Sequence, residues 1–222
     1  MSEPPHLAAS RTAYDHSAEL YSDVVGVEVN DQFEAPLDRA VLQSFVELVK
    51  ASGPGVVLDA GCGRGRVAAF LSRNGLEACG IDLSERMISE ARRSHPNIPF
   101  AEGSLTALGV AEGSLVGVAY WYSIITTPPA ELPAVWTELR RAAAPGAQVL
   151  VGFQAGQGEA VQRPGAYGSS VTLTLYRHDV EYVSRTMQAA GFEVQGDVRR
   201  QPTLPHEESV QAFLLCALQG EI

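Results

Sequence analysis

The residues best suited to chemistry form a short run, Val56-Val57-Leu58-Asp59-Ala60-Gly61-Cys62-Gly63-Arg64-Gly65-Arg66. An apolar strand ends near an acid and enters a glycine-rich turn. The turn leads into Val67-Ala68-Ala69-Phe70-Leu71, which has helical spacing. Backbone without a Cβ lets a ligand approach such a strand–helix junction closely. Seventeen residues past Gly65 a second strand, Ala78-Cys79-Gly80-Ile81-Asp82, also ends in acid. Together these features predict a ligand pocket at the carboxyl end of a parallel sheet. A dinucleotide fingerprint, G-x-G-x-x-G, would seat a pyrophosphate at the helix N-terminus. Here the glycines are Gly61, Gly63 and Gly65, and Arg66 stands where the third glycine of that pattern belongs. The carboxylate of Asp59 would repel a pyrophosphate and suits a cationic ligand.

The elements that must position these residues alternate between strand and helix, as in βαβ units, so the fold class is α/β. Met1 to His6 reads as a tail. A helix over Thr12 to Val24 carries Tyr14, Ala18 and Tyr21 on one face. Leu37 to Val49 repeats apolar residues at helical spacing and is stopped by Ser52-Gly53-Pro54-Gly55. Strands are expected over Val56 to Asp59, Glu77 to Asp82, Ile98 to Ala101, Ser114 to Tyr122 and Ala147 to Phe153. Helices are expected over Arg64 to Arg73, Glu85 to Ser94 (with Ser84 as N-cap) and Ala130 to Ala143. Pro145-Gly146 closes the last of these. Ala155 to Ser170 reads as a glycine-rich loop and Val171 to Tyr176 as an extra strand. Asp179 to Ala190 reads as a helix, and Phe192 to Arg200 with Val210 to Gln219 as a final antiparallel pair.

Composition narrows the function classes. The chain has 222 residues, enough for one domain with a sizeable core. Its net charge of -10 disfavours binding to phosphate backbones, which needs a basic field. Arg92-Arg93, Arg140-Arg141 and Arg199-Arg200 are isolated pairs. Cys62, Cys79 and Cys216 lack metal-ligand spacing and read as free thiols in a reducing cytoplasm. No signal-peptide core or membrane-length apolar run is visible. The expectations are therefore a cytoplasmic protein, a monomer or homodimer, with no nucleic acid, membrane or metal partner.

The pattern D-x-G-x-G-x-G followed by a strand-end acid resembles the class I S-adenosylmethionine-dependent methyltransferases. The resemblance spans Val56 to Phe153 and continues more loosely on both sides. It implies a Rossmann-like, seven-stranded, mostly parallel sheet with helices on both faces, strand order 3-2-1-4-5-7-6, strand 7 antiparallel. It implies one domain: residues 1–50 as a helical lid, 51–153 as the cofactor core, 154–222 as an insertion and the end of the sheet. The cofactor is then S-adenosylmethionine, with S-adenosylhomocysteine as product. Asp59 organises the loop toward the methionine ammonium, and Gly61, Cys62 and Gly63 let that end approach. Asp82 accepts from the ribose hydroxyls, for which a bidentate carboxylate is suited. Leu83 and Met87 flank the adenine, and Gly103, Ser104 and Leu105 meet its edge. Ser104 stands where many relatives carry Asp. Trp121 and Tyr122 enter the pocket from the fourth strand, and Tyr14 and Tyr21 contact the cofactor from the lid.

A bacterial subgroup carries Trp-Tyr-Ser-Leu-Ile-His and then Pro-x-Glu-Leu-Pro. This chain reads Trp121-Tyr122-Ser123-Ile124-Ile125-Thr126, then Pro129-Ala130-Glu131-Leu132-Pro133. Thr126 replaces the His, and a hydroxyl is no general base at neutral pH. Tyr176, His178 and His206 could overhang the acceptor side; no catalytic residue is assigned. The acceptor walls are expected from the N-terminal helices, the Trp121 to Pro129 loop and the Ala155 to Tyr176 insertion. They are apolar and aromatic, which favours a small organic acceptor. Two alternatives stay open: a noncatalytic S-adenosylmethionine-binding protein, and a nucleotide-dependent oxidoreductase.

Overall fold

Strand β1 (Val56–Ala60) lies at the centre of the sheet and is buried along most of its length. Its apolar run, broken only by Asp59, is what a parallel strand covered on both faces requires. A computed structural model describes residues 4–165 and 171–220, with backbone alone for Pro5 and residues 19–24. In chain order it holds α1 (Pro5–Val25), α2 (Pro36–Ser52), β1, α3 (Arg66–Arg73), β2 (Glu77–Asp82), α4 (Glu85–Ser94), β3 (Phe100–Glu102) and β4 (Leu115–Trp121). There follow α5 (Leu132–Ala142), β5 (Ala143–Gln154), β6 (Ala160–Arg163), β7 (Leu173–Tyr176), α6 (Val180–Ala189), β8 (Phe192–Arg200) and β9 (Gln211–Leu218).

Seven strands form one sheet in the order β3-β2-β1-β4-β5-β9-β8. All neighbours are parallel except β9, which runs antiparallel to both β5 and β8. With the β6–β7 hairpin standing apart, this is the expected order, β8 and β9 being the sixth and seventh strands. Helices cover both faces. On one face α2 presents Val41, Leu42, Phe45, Val46 and Val49, at helical spacing, to Val57, Ala119, Leu150 and Phe213. On the other face Val135, Trp136 and Leu139 of α5 and Val183 and Met187 of α6 meet Leu58, Val118, Tyr120, Val149 and Val151. Each such side chain, fully removed from water, contributes about 1.5–3 kcal/mol. No described helix is long and apolar enough to cross a membrane.

The structure corrects three expectations. The tail is shorter than expected, because α1 already starts at Pro5. Proline suits a first helical position, where its missing N–H is no loss. Pro145-Gly146 does not close a helix but lies within β5, where the pairing with β4 jumps from Leu115↔Ala143 to Gly117↔Gln148. Gly146 absorbs that irregularity at φ 79°. The glycine-rich stretch after β5 is not all loop: β6 pairs antiparallel with β7 from Ala160↔Tyr176 to Arg163↔Leu173. Four residues, two apolar and two polar, carry too little periodicity to announce a strand, and pairing with β7 creates it.

Candidate functional site

The glycine turn leaves β1 at its carboxyl end. Gly61 and Cys62 donate their amides to the Ile81 carbonyl at 2.8 Å each, which ties the turn to β2. Gly61, Gly63 and Gly65 have φ of 78°, 52° and 82°, a region costly for residues with a Cβ. Their open sides differ. A Cβ on Gly61 would lie 2.3 Å from the Ser123 Cβ, and one on Gly65 2.6 Å from the Phe100 ring. These two glycines make room for the protein's own side chains. A Cβ on Gly63 would meet nothing within 4 Å. Of the three, an added Cβ would have open space only at Gly63, and both Gly61 and Gly63 border a cavity of about 770 Å³.

Both strand-end acids border the cavity. Asp59 is buried, and its Oδ2 accepts from the Ala68 amide at 2.9 Å. Its Oδ1 has no hydrogen-bond donor among the described residues. Burial first, and then the charge of Asp82, push the Asp59 carboxyl up to about 7; the Ala68 amide and Arg66 oppose this. Asp82 Oδ2 accepts from the Gly63 amide at 2.8 Å and Oδ1 from the Ser84 amide at 2.9 Å. Its carboxyl is also raised, mainly by shielding from water. Each oxygen keeps a lone pair for a ligand.

The other expected residues converge on the same space. Tyr14, Cys62, Leu83, Met87, Gly103, Ser104, Leu105, Trp121 and Tyr122 all line the cavity. The side chain of Tyr21 lies outside the described residues. Trp121 stacks on Phe213 at 5.1 Å. Tyr122 adopts φ 56°, the one positive value outside glycine among the described residues, and turns the chain out of β4. The Ser104 hydroxyl lies 3.1 Å from that of Thr106. Tyr120 packs edge-on against Trp136 in the core. His178 does not overhang the cavity: it is fully buried, and its Nε2 donates to the Ile124 carbonyl at 3.0 Å. Tyr176 does not line the cavity either. His206 does, and its ring stacks on Phe33 at 4.6 Å.

Several participants carry no mark in the sequence. Arg66 opens α3 and pairs through its guanidinium with the buried carboxylate of Glu34. Glu34 also accepts from the Asn30 amide at 3.0 Å and from Trp121 Nε1 at 3.4 Å. This pair joins the α1–α2 connection to the turn and braces the Trp121 ring. Asp15 of α1 reaches the start of α4, where the Ser84 hydroxyl donates to its Oδ1 at 2.5 Å. The Ser123 hydroxyl lines the cavity, is shielded from water, and has no hydrogen-bond partner among the described residues. Among the described residues no His, Cys, Asp and Glu cluster could hold a metal ion.

The far end of the cavity is bounded by α1, by the turn Ile124–Thr126 after β4, by the start of α5 and by β7. Leu7, Ile125, Val135, Leu173 and Leu175 supply apolar surface there. His6 of α1 faces Glu131 at 3.3 Å across the rim. The loop after β8 closes another side. It is pinned by Arg200, whose Nε donates to Asp38 Oδ1 at 2.6 Å and whose Nη1 donates to Glu207 Oε2 at 2.7 Å. Burial alone would raise the Glu207 carboxyl, but Arg200 and the Leu204 and Thr203 amides hold it down at about 2.

A seven-stranded sheet with this strand order, and a glycine turn between two strand-end acids over one cavity, define a class I methyltransferase fold. Residues 57–146 match the family model of a methyltransferase domain. Residues 57–146 are thus similar to a methyltransferase domain, on a fold shared with solved S-adenosylmethionine-dependent methyltransferases. It is 29% identical over 122 residues to a demethylmenaquinone methyltransferase of Beutenbergia cavernae, covering 55% of this chain and 50% of that one. It is 32% identical over 116 residues to a malonyl-[acyl-carrier protein] O-methyltransferase of Erwinia pyrifoliae, covering 52% and 44%. The chain thus spans about half the length of these curated relatives. Magnesium protoporphyrin IX methyltransferase from Synechocystis, solved with bound S-adenosylmethionine, superposes with a TM-score of 0.70 at 18% identity, over 98% of this chain and 99% of that one.

Proposed function

We propose that this cavity binds S-adenosylmethionine and that the chain transfers its methyl group to a small organic acceptor, leaving S-adenosylhomocysteine. The observation that carries this reading is the pair Asp59 and Asp82. They are two carboxylates at one cavity end, neither in an ion pair with a described residue, on either side of an open glycine. Such a field favours a cationic ligand. The matched domain and the named activities of the relatives support the same reading.

Asp82 offers two acceptor oxygens, already oriented by the Gly63 and Ser84 amides, to a vicinal diol. Asp59 Oδ1 faces a cation from a buried position. Leu83, Met87 and Leu105 offer apolar surface to a flat ring. The cofactor supplies a methyl on a sulfonium, which a lone pair of the acceptor displaces in line. The protein's part is alignment and exclusion of water, which can remove much of such a barrier without a catalytic side chain. The acidic charge of the chain supports an acceptor other than nucleic acid.

A second reading, cofactor binding without turnover, draws on Thr126. Its hydroxyl donates at 3.5 Å to the Ser123 carbonyl and supplies no base at the end of β4.

Calorimetric titration with S-adenosylmethionine, S-adenosylhomocysteine and NADH, in wild type and Asp82→Ala, tests the proposal. Hydrogen bonds to a charged group contribute about 1.5–3 kcal/mol each. Loss of two should weaken the first two ligands by at least about a hundredfold. Binding of NADH in place of both would transfer the case to the oxidoreductase reading. Methyl transfer to a panel of small acceptors then separates an enzyme from a noncatalytic binder.

A further inference from the structure

We infer that the acceptor is an uncharged, largely apolar molecule, held in the chamber between Leu7, Ile125, Val135, Leu173 and Leu175. The inference rests on the cofactor reading above and adds the class of acceptor. Its basis is the distribution of charge around the cavity.

Every arginine lining the cavity already has a carboxylate. Arg64 Nη2 donates to Glu90 at 2.7 Å, and Arg66 pairs with Glu34. Arg163 grips Glu208 with both terminal nitrogens, at 2.7 and 2.9 Å. Of the remaining carboxylates, Glu207 shares the Arg200 guanidinium with Asp38, and Glu131 lies 3.3 Å from the His6 ring. The charge left over among the described lining residues is negative: Asp59 and Asp82 at the glycine turn have no ion pair with a described residue, and Glu207 shares one arginine with Asp38. The two ends therefore select differently. The turn end attracts a cation. The far end has no arginine to spare, among the described residues, for a carboxylate, a phosphate or a sulfonate.

An anion entering the chamber would lose its hydration and find every arginine there neutralised, next to a wall of negative field. Burial of an uncompensated charge is the least favourable event such a site can offer. An uncharged acceptor meets no such barrier. Leu173 and Leu175 are buried although they sit on a hairpin outside the main sheet. They share one apolar cluster with Ala13 of α1 and with Ile125 and Val135. The hairpin thus brings apolar surface to the chamber while its arginine is held at the rim. Removal of apolar surface from water is the main attraction the chamber provides.

The inference is tested by fluorescence titration of the full chain, saturated with S-adenosylhomocysteine. The probes are neutral N-phenyl-1-naphthylamine and its sulfonated analogue 8-anilino-1-naphthalenesulfonate. The neutral probe should bind at least about tenfold more tightly than the sulfonate, a difference of about 1.4 kcal/mol. Leu175→Ala should weaken the neutral probe severalfold while S-adenosylhomocysteine binding is unchanged. Leu175→Arg should reverse the preference, and retained S-adenosylhomocysteine binding certifies that this variant is folded. Equal or tighter binding of the sulfonate by wild type would overturn the inference. So would a neutral probe indifferent to both Leu175 variants. Failure of S-adenosylhomocysteine itself to bind the folded protein would sink the cofactor reading, and the inference with it.

Discussion

At the glycine-turn end of the cavity the wall is mostly backbone and sheet. Asp59 and Asp82 are set by the ends of β1 and β2 and oriented by the Ala68, Gly63 and Ser84 amides. At the far end the wall is made of attached pieces: α1, the turn after β4, the β6–β7 hairpin and the loop after β8. The first end gains its character from a few groups held in place by the fold, and leaves its charge unbalanced. The second gains its character from side chains on elements outside the sheet, and pairs each of its arginines with a carboxylate. A fold that keeps the first end and exchanges the second can retain a ligand while changing what else enters.

The largest test of this contrast is Glu34→Ala. It leaves Arg66 buried with its main partner gone, and breaking a buried ion pair costs about 3–5 kcal/mol. Chemical unfolding should show that loss, with the Trp121 environment altered in fluorescence. A loss below about 1 kcal/mol would mean that the turn end is not held rigidly by this pair.

An intermediate effect concerns pH. The Asp59 carboxyl sits at about 7 in the fold against an ordinary 3.8, so the folded chain favours its protonated form. Stability of the ligand-free protein should therefore fall as pH rises between about 4 and 7. Affinity for a cationic ligand should move the opposite way. It should weaken by up to about tenfold per pH unit below 7 and level off above. Calorimetry with S-adenosylhomocysteine across that range, beside Asp59→Asn, reads the slope. A wild type as flat as the variant would remove Asp59 from the ligand's field.

The smallest effect is expected from Glu208→Gln at the far end. Glu208 is exposed and Arg163 half-buried, and pairs open to water on one side contribute little to stability. The melting temperature should stay within error of wild type. A clear drop would show that the hairpin is built into the fold as firmly as the turn.

The same contrast governs what could be read from the sequence. The turn end was legible because its parts are local: acid, glycines and helix fall within Asp59 to Leu71, and Asp82 marks the next strand. The sheet order was legible through the family pattern, and α2 through its apolar spacing. What escaped was long-range pairing. Arg66 read only as the residue that spoils a dinucleotide motif, because its partner Glu34 lies 32 positions away. Arg200 and Asp38 are separated by 162 positions, and no spacing rule links them. What Gly61 and Gly65 also accommodate escaped for a similar reason. Their missing Cβ atoms accommodate Ser123 and Phe100, which come from other strands and turns. His178 looked like a pocket residue only until the carbonyl of Ile124 claimed it.

Helix α1 belongs to both ends at once. Tyr14 and Asp15 sit by the turn, while His6 and Leu7 close the chamber. One helix therefore forms a common wall to both parts of the cavity, so a substitution that shifts α1 disturbs both at once; its anchors are Asp15 on Ser84 beside the turn and His6 on Glu131 at the chamber.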